Sequence, residues 1–165
     1  MKKHDLLKDG NNTIRVLAIQ PDKILMIDCI KRTMPVWVAS STLDYFAQCT
    51  GEGLIQTTNF TVTDIDALDA EQRKVMYDRY TLIAPILPFI EDERMRSKVI
   101  SSIAIEHDIS KQTVRNYLCL YLAYMNITVL APRQRLDDTE LTQDEKNIRW
   151  ALNKFFYTTK KQSLM

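Results

Sequence analysis

A chain of 165 residues, 45% hydrophobic and 26% charged, has the composition of a folded protein with one domain or two small ones, not of a disordered segment. Its net charge of +1 excludes a uniformly basic nucleic-acid binder, so any DNA footprint must be local. Three glycines leave no phosphate-cradling loop, and two histidines with three widely spaced cysteines argue against a zinc site or a Ser/His/Asp arrangement.

The N-terminus, MKKHDLLKDG, is charged and lacks an apolar core, and His4 falls in a segment expected to fray. No apolar run approaches membrane-spanning length, and the cysteines read as reduced thiols. A cytoplasmic protein with no membrane partner is expected. Two strands follow, Thr13–Ile19 and Lys23–Cys29, flanking the turn Gln20-Pro21-Asp22, so a β-hairpin is predicted. Pro35–Ala39 is a third strand. Ser40 or Ser41 caps a short helix to Gln48, Gly51-Glu52-Gly53 breaks it, and Leu54–Thr58 returns as a strand. Asp28 invites comparison with a metal-binding carboxylate of an RNase H-like nuclease. That fold needs more strands and further carboxylates, so no catalytic role is expected of it.

Beyond a polar connector at residues 59–66, a helix is predicted from about Asp69 to Ile83, with an irregular exit at Pro85 and Pro88. The segment from Arg94 to Leu118 then makes the most definite chemical proposal. Val99, Ile100, Ile103 and Ala104 share one face of a helix running from about Glu93 to His107. A turn at Asp108 and Ile109 leads to Ser110 as an N-cap, and Val114, Tyr117, Leu118 and Tyr121 form the apolar stripe of a second helix. This is the layout of a helix-turn-helix DNA reader. Lys111, Gln112, Thr113, Arg115 and Asn116 project from the start of the second helix as donors for phosphates and base edges. Between residues 94 and 135, Arg94, Arg96, Lys98, Lys111, Arg115, Arg133 and Arg135 are opposed only by Glu106 and Asp108. Tyr117, Tyr121 and Tyr124 recur at helical spacing as core and interface residues. After Asn126 an extended tail is expected to place Arg133 and Arg135 on phosphates. Asp137–Thr142 reads as a linker, and Asp144–Tyr157 as a last amphipathic helix.

Laid in order, these segments resemble the N-terminal portion of TnsB-type transposases, relatives of the Mu transposase among the DDE transposases and integrases. The likeness begins at RVLAIQPDKILMIDC as an opening hairpin and is sharpest at RSKVISSIAIEHDISKQTVRNYL. It extends to Leu130-Ala131-Pro132-Arg133, with the helix from Thr142 as the start of a further DNA-binding unit. The resemblance implies binding to repeated sites in transposon ends, with double-stranded DNA and other transposition proteins as partners. It implies that cutting and joining belong to a separate RNase H-like domain using divalent metal, so no enzyme activity and no cofactor are expected of this chain. Two departures stand out. Cys119, Leu120, Tyr121 and Leu122 occupy a region where the family often has basic residues, and Met125-Asn126 replaces a glycine-containing turn.

The expected fold class is therefore α+β, a small β-rich N-terminal domain followed by an all-α helix-turn-helix domain. Residues 1–58 form the first, 59–136 the second with its helix-turn-helix at about 93–124, and 137–165 a linker and the first helix of a truncated further unit. Ser110, Lys111, Gln112, Thr113, Arg115 and Asn116, with Arg94, Lys98, Arg133 and Arg135, are the expected DNA contacts. A helix-turn-helix transcriptional regulator and a protein-interaction adaptor remain the alternative functions.

Overall fold

Five antiparallel strands come first: β1 (Leu6–Asp9), β2 (Asn12–Ile19), β3 (Lys23–Asp28), β4 (Val36–Ala39) and β5 (Ala47–Cys49), in the sheet order β4-β3-β2-β1-β5. They belong to a computed structural model that describes residues 1–58, 60 and 62–132. Four helices follow, α1 (Gly51–Thr58), α2 (Ala70–Ile83), α3 (Glu93–Glu106) and α4 (Lys111–Tyr124), and the fold class is α+β as expected. The predicted residues from 133 onward, Arg133 and Arg135 included, lie outside the described residues.

The alternation in β3 sends Leu25, Ile27 and Cys29 to one face, all fully buried, and Ile24 to the other. An extra residue at Leu17 shifts the register between Val16 and Ala18, so Leu17 and Ala18 join the same face. That face packs on the helices in one core that includes Leu54, Met76, Ile100, Val114, Leu118 and Leu130. The opposite face is covered by a smaller cluster of Leu7, Ile14, Val16, Ile24 and Leu43. The boundary expected after residue 58 therefore does not separate two cores. Met1–Pro132 forms one compact unit, because the apolar sheet face packs on the helices in a shared core.

Several local expectations need correction. The terminus expected to fray is pinned: His4 N–H donates to the Val16 carbonyl at 2.7 Å, and β1 pairs with both β2 and β5. Gly10, at φ +54°, makes the tight β1–β2 turn. Ser40–Leu43 is a single 3-10 turn, and the chain after it becomes β5 instead of continuing as a helix. Gly51 and Gly53 do not break a helix but open α1, and Leu54–Thr58 is helical, not extended. The Thr57 and Thr58 hydroxyls donate to the Gly53 and Leu54 carbonyls, each at 2.8 Å, an arrangement that lets a threonine sit in a helix. The predicted tail after Asn126 is instead a 3-10 turn, Ile127–Leu130. It packs on α2 and α4 and accepts a hydrogen bond at the Leu130 carbonyl from Arg79 Nη1, 2.8 Å.

Two buried arginines tie the sheet to the helices. Arg15 on β2 donates from Nε to the Ala123 carbonyl near the end of α4, and from Nη1 to the His4 carbonyl, both at 2.9 Å. Carbonyls at a helix C-terminus carry partial negative charge, which suits a cation. Arg96 on α3 donates to the Ile90 carbonyl at 2.6 Å and to the Pro35 carbonyl before β4 at 3.1 Å. Trp37 on β4 adds a bond from Nε1 to the Glu91 carbonyl, 3.1 Å. Burial holds both guanidiniums below the ordinary arginine value.

Candidate nucleic-acid interface

The interface is built on α3 and α4 and the four residues between them. Asp92 caps α3, its carboxylate accepting from the Met95 N–H at 3.0 Å. Ile100, Ile103 and Ala104 are buried as predicted, while Val99 lies half-buried at the margin of the stripe. Arg94 and Lys98, one turn apart, are exposed. With Glu93, Ser97 and Ser101 they line a shallow open depression along the outer side of α3, a surface and not a small-molecule pocket. Arg96 is different: it is only 4% exposed, and its charge must be removed from the basic surface that the sequence suggests.

The turn between the helices closes by two hydrogen bonds. Ile109 N–H reaches the Ala104 carbonyl at 3.0 Å, and Asp108 N–H reaches the Ile105 carbonyl at 3.4 Å. This is the Schellman arrangement, which needs a left-handed residue at its corner. Asp108 supplies it with φ +52°, filling the role that glycine often has. Ala104 is buried at the crossing and Ile109 is half-buried behind the corner, as the spacing predicts. Ile105, 80% exposed, is an apolar residue at that corner which the reading of helix faces did not single out.

Ser110 starts α4, its Oγ accepting from the Thr113 N–H at 3.0 Å and lying 2.9 Å from Thr113 Oγ1. Both hydroxyls expected to hold phosphates are thus already engaged in capping the helix. The N–H groups of Lys111 and Gln112, at the first two helical positions, have no carbonyl behind them in the helix and point out of its positive end. Lys111, Gln112 and Asn116 are exposed and Arg115 half-buried. Gln112 Nε2 donates to Asn116 Oδ1 at 2.8 Å, joining the two amides across one turn. Among the described residues none of Arg94, Lys98, Lys111 and Arg115 forms an ion pair, so their charges are open to an anionic partner.

The second half of α4 is used differently. Leu118, Cys119, Leu122 and Ala123 are buried, Cys119 Sγ lies 3.5 Å from Met34 Sδ, and the helix contacts β2 and β3. Burial pushes the Cys119 thiol up to about 11 and the Cys29 thiol up to about 12. Tyr117 lies beneath the Arg79 guanidinium at 5.0 Å, Tyr121 meets Tyr80 edge to face, and Tyr124 stacks on Phe60. Met125, at φ +51°, ends the helix in the left-handed conformation.

Asp28 serves the backbone of the turn that follows β3. Its Oδ1 accepts from the Ile30 and Lys31 N–H groups at 2.9 and 2.8 Å, shaping the turn after β3. Among the described residues no three His, Cys, Asp or Glu side chains stand together as metal ligands, and no helix is long and apolar enough to cross a membrane.

No known protein-family model matches the chain, and no curated protein matches it either.

Proposed function

We propose that this chain binds duplex DNA sequence-specifically, laying the first turns of α4 in a major groove, as the end-binding part of a transposase of the kind its sequence resembles. The observation that carries the reading is the division of α4. Its first half presents Lys111, Gln112, Arg115 and Asn116 outward, and its second half is buried on the sheet. Among the described residues one end of the helix is thus uncovered, and a single α-helix is what a major groove admits. In this reading the β-rich part is the platform for the reader: Arg15 holds the end of α4, and Arg96 holds α3 against the segment before β4.

Arg115, Gln112 and Asn116 would reach base edges, with Lys111 on the phosphate beside them. Arg94, Lys98 and the free N–H groups at the start of α4 would hold the phosphates that set the register. The divalent metal implied by the resemblance finds no ligand set among the described residues, so no chemical step is assigned to them. The test is equilibrium binding to the duplex that the chain enriches from a random pool, with the salt concentration raised in steps. Binding should weaken steeply with salt, and Arg115→Ala should lose about 1–3 kcal/mol of specific affinity. Failure to enrich any duplex at low salt refutes the proposal, as does an Arg115→Ala variant that binds like the parent.

A further inference from the structure

We infer that the hydrogen-bonded pair Gln112–Asn116 is an adenine reader, which rests on the DNA-binding reading and names the base it selects. The two residues are exposed and lie two positions before Val114 and Leu118 respectively. Two positions on an α-helix turn the side chain by about 200°, so the amides stand on the face opposite the buried stripe. That is the face a groove-bound helix turns to the bases.

The bond itself determines what the pair can offer. Gln112 Nε2 donates to Asn116 Oδ1 at 2.8 Å, which leaves Gln112 Oε1 as an acceptor and Asn116 Nδ2 as a donor. One donor beside one acceptor complements a base edge that shows one acceptor beside one donor. In the major groove only adenine does so, through N7 and its N6 amino group. Guanine shows two acceptors there, which the remaining amide N–H groups could meet only by leaving Gln112 Oε1 without a donor. Thymine shows an acceptor and a methyl group, and cytosine a lone donor. Joining the amides before binding also removes rotamer freedom that each side chain would otherwise lose on the DNA. Lys111 adds charge beside the pair and Arg115 would read a neighbouring base, while the two amides carry the choice of this one.

Selection from a random duplex pool tests this with the full chain and with Gln112→Ala, Asn116→Ala and Lys111→Ala. The parent should enrich sites with one fixed adenine, and replacing that base should weaken binding about 5- to 150-fold. Gln112→Ala and Asn116→Ala should both flatten that position. Lys111→Ala should weaken binding to every sequence alike and keep the adenine. Enriched sites without such an adenine, or a preference unchanged in both amide variants, overturn the inference while leaving DNA binding intact. A chain that enriches no duplex at all refutes the DNA-binding reading, and this inference with it.

Discussion

Arg94 and Arg96 stand two residues apart in a basic stretch, yet their surroundings are opposite, and replacing each one separates folding from binding. Arg96 is 4% exposed and donates to two carbonyls, those of Ile90 and Pro35. Hydrogen bonds from a charged group contribute about 1.5–3 kcal/mol each, and truncation strands both acceptors. Against this stands the cost of keeping a cation out of water with Glu93 and Asp92 near it but no ion pair in contact among the described residues. The net loss for Arg96→Ala should be about 2–4 kcal/mol, a fall of about 1–2 M in the urea midpoint. Arg96→Met fills the stem's volume without a buried charge and should fall in between. Arg94→Ala removes an exposed side chain and should change stability by less than about 0.5 kcal/mol. On DNA the order reverses: Arg94→Ala should lower the salt slope by about 1, and Arg96→Ala, assayed where it is folded, should leave the slope alone. The reasoning is refuted if Arg96→Ala unfolds with the parent, or if its salt slope drops as that of Arg94→Ala does.

Two further outcomes follow from burial and close contact. At pH 8 a thiol reagent should modify half-buried Cys49 fast and Cys29 and Cys119 only on unfolding, and equal rates at all three would contradict the packing of α4 on the sheet. Above pH 9.0 the unfolded chain's thiols ionise, while the folded thiols keep their protons to about 12 for Cys29 and about 11 for Cys119. The unfolded state loses protons first, so stability should fall as pH climbs from 9 toward 11, and less so in a Cys29→Ala/Cys119→Ala variant. In α1, a Cβ at Gly51 meets nothing within 4 Å, and Gly51→Ala should stabilise by about 0.5 kcal/mol. A Cβ at Gly53 would stand 2.9 Å from Cys49 Sγ, so Gly53→Ala should destabilise by about 1 kcal/mol in the same urea titration.

The parts of the fold that could be read in advance are those specified locally. The hairpin β2–β3 shows in its alternation and proline-bearing turn. The start of α4 shows in its cap, Ser110, whose hydroxyl accepts from the Thr113 N–H. The misreadings share one cause, a long-range partner. Leu6–Asp9 is too short to announce a strand until β2 and β5 lie on either side of it. Arg96 counts toward the local basic charge until the carbonyls of Ile90 and Pro35 close over it. Within the candidate interface, the outward positions of Lys111, Gln112 and Asn116 could be read from helical periodicity. The i, i+4 spacing of Gln112 and Asn116 was also visible, and only their hydrogen bond needed coordinates. Expectations for Arg133 and Arg135 lie outside the described residues.

The central claim is that DNA meets the first turns of α4 and the outer side of α3. Backbone amide NMR shifts of the isotope-labelled chain, recorded as an enriched duplex is added, test it residue by residue. The largest changes should fall at residues 110–116, with a second group at Arg94–Lys98 and little change on the sheet. Changes concentrated on β4 or β5, with residues 110–116 unmoved, would contradict it.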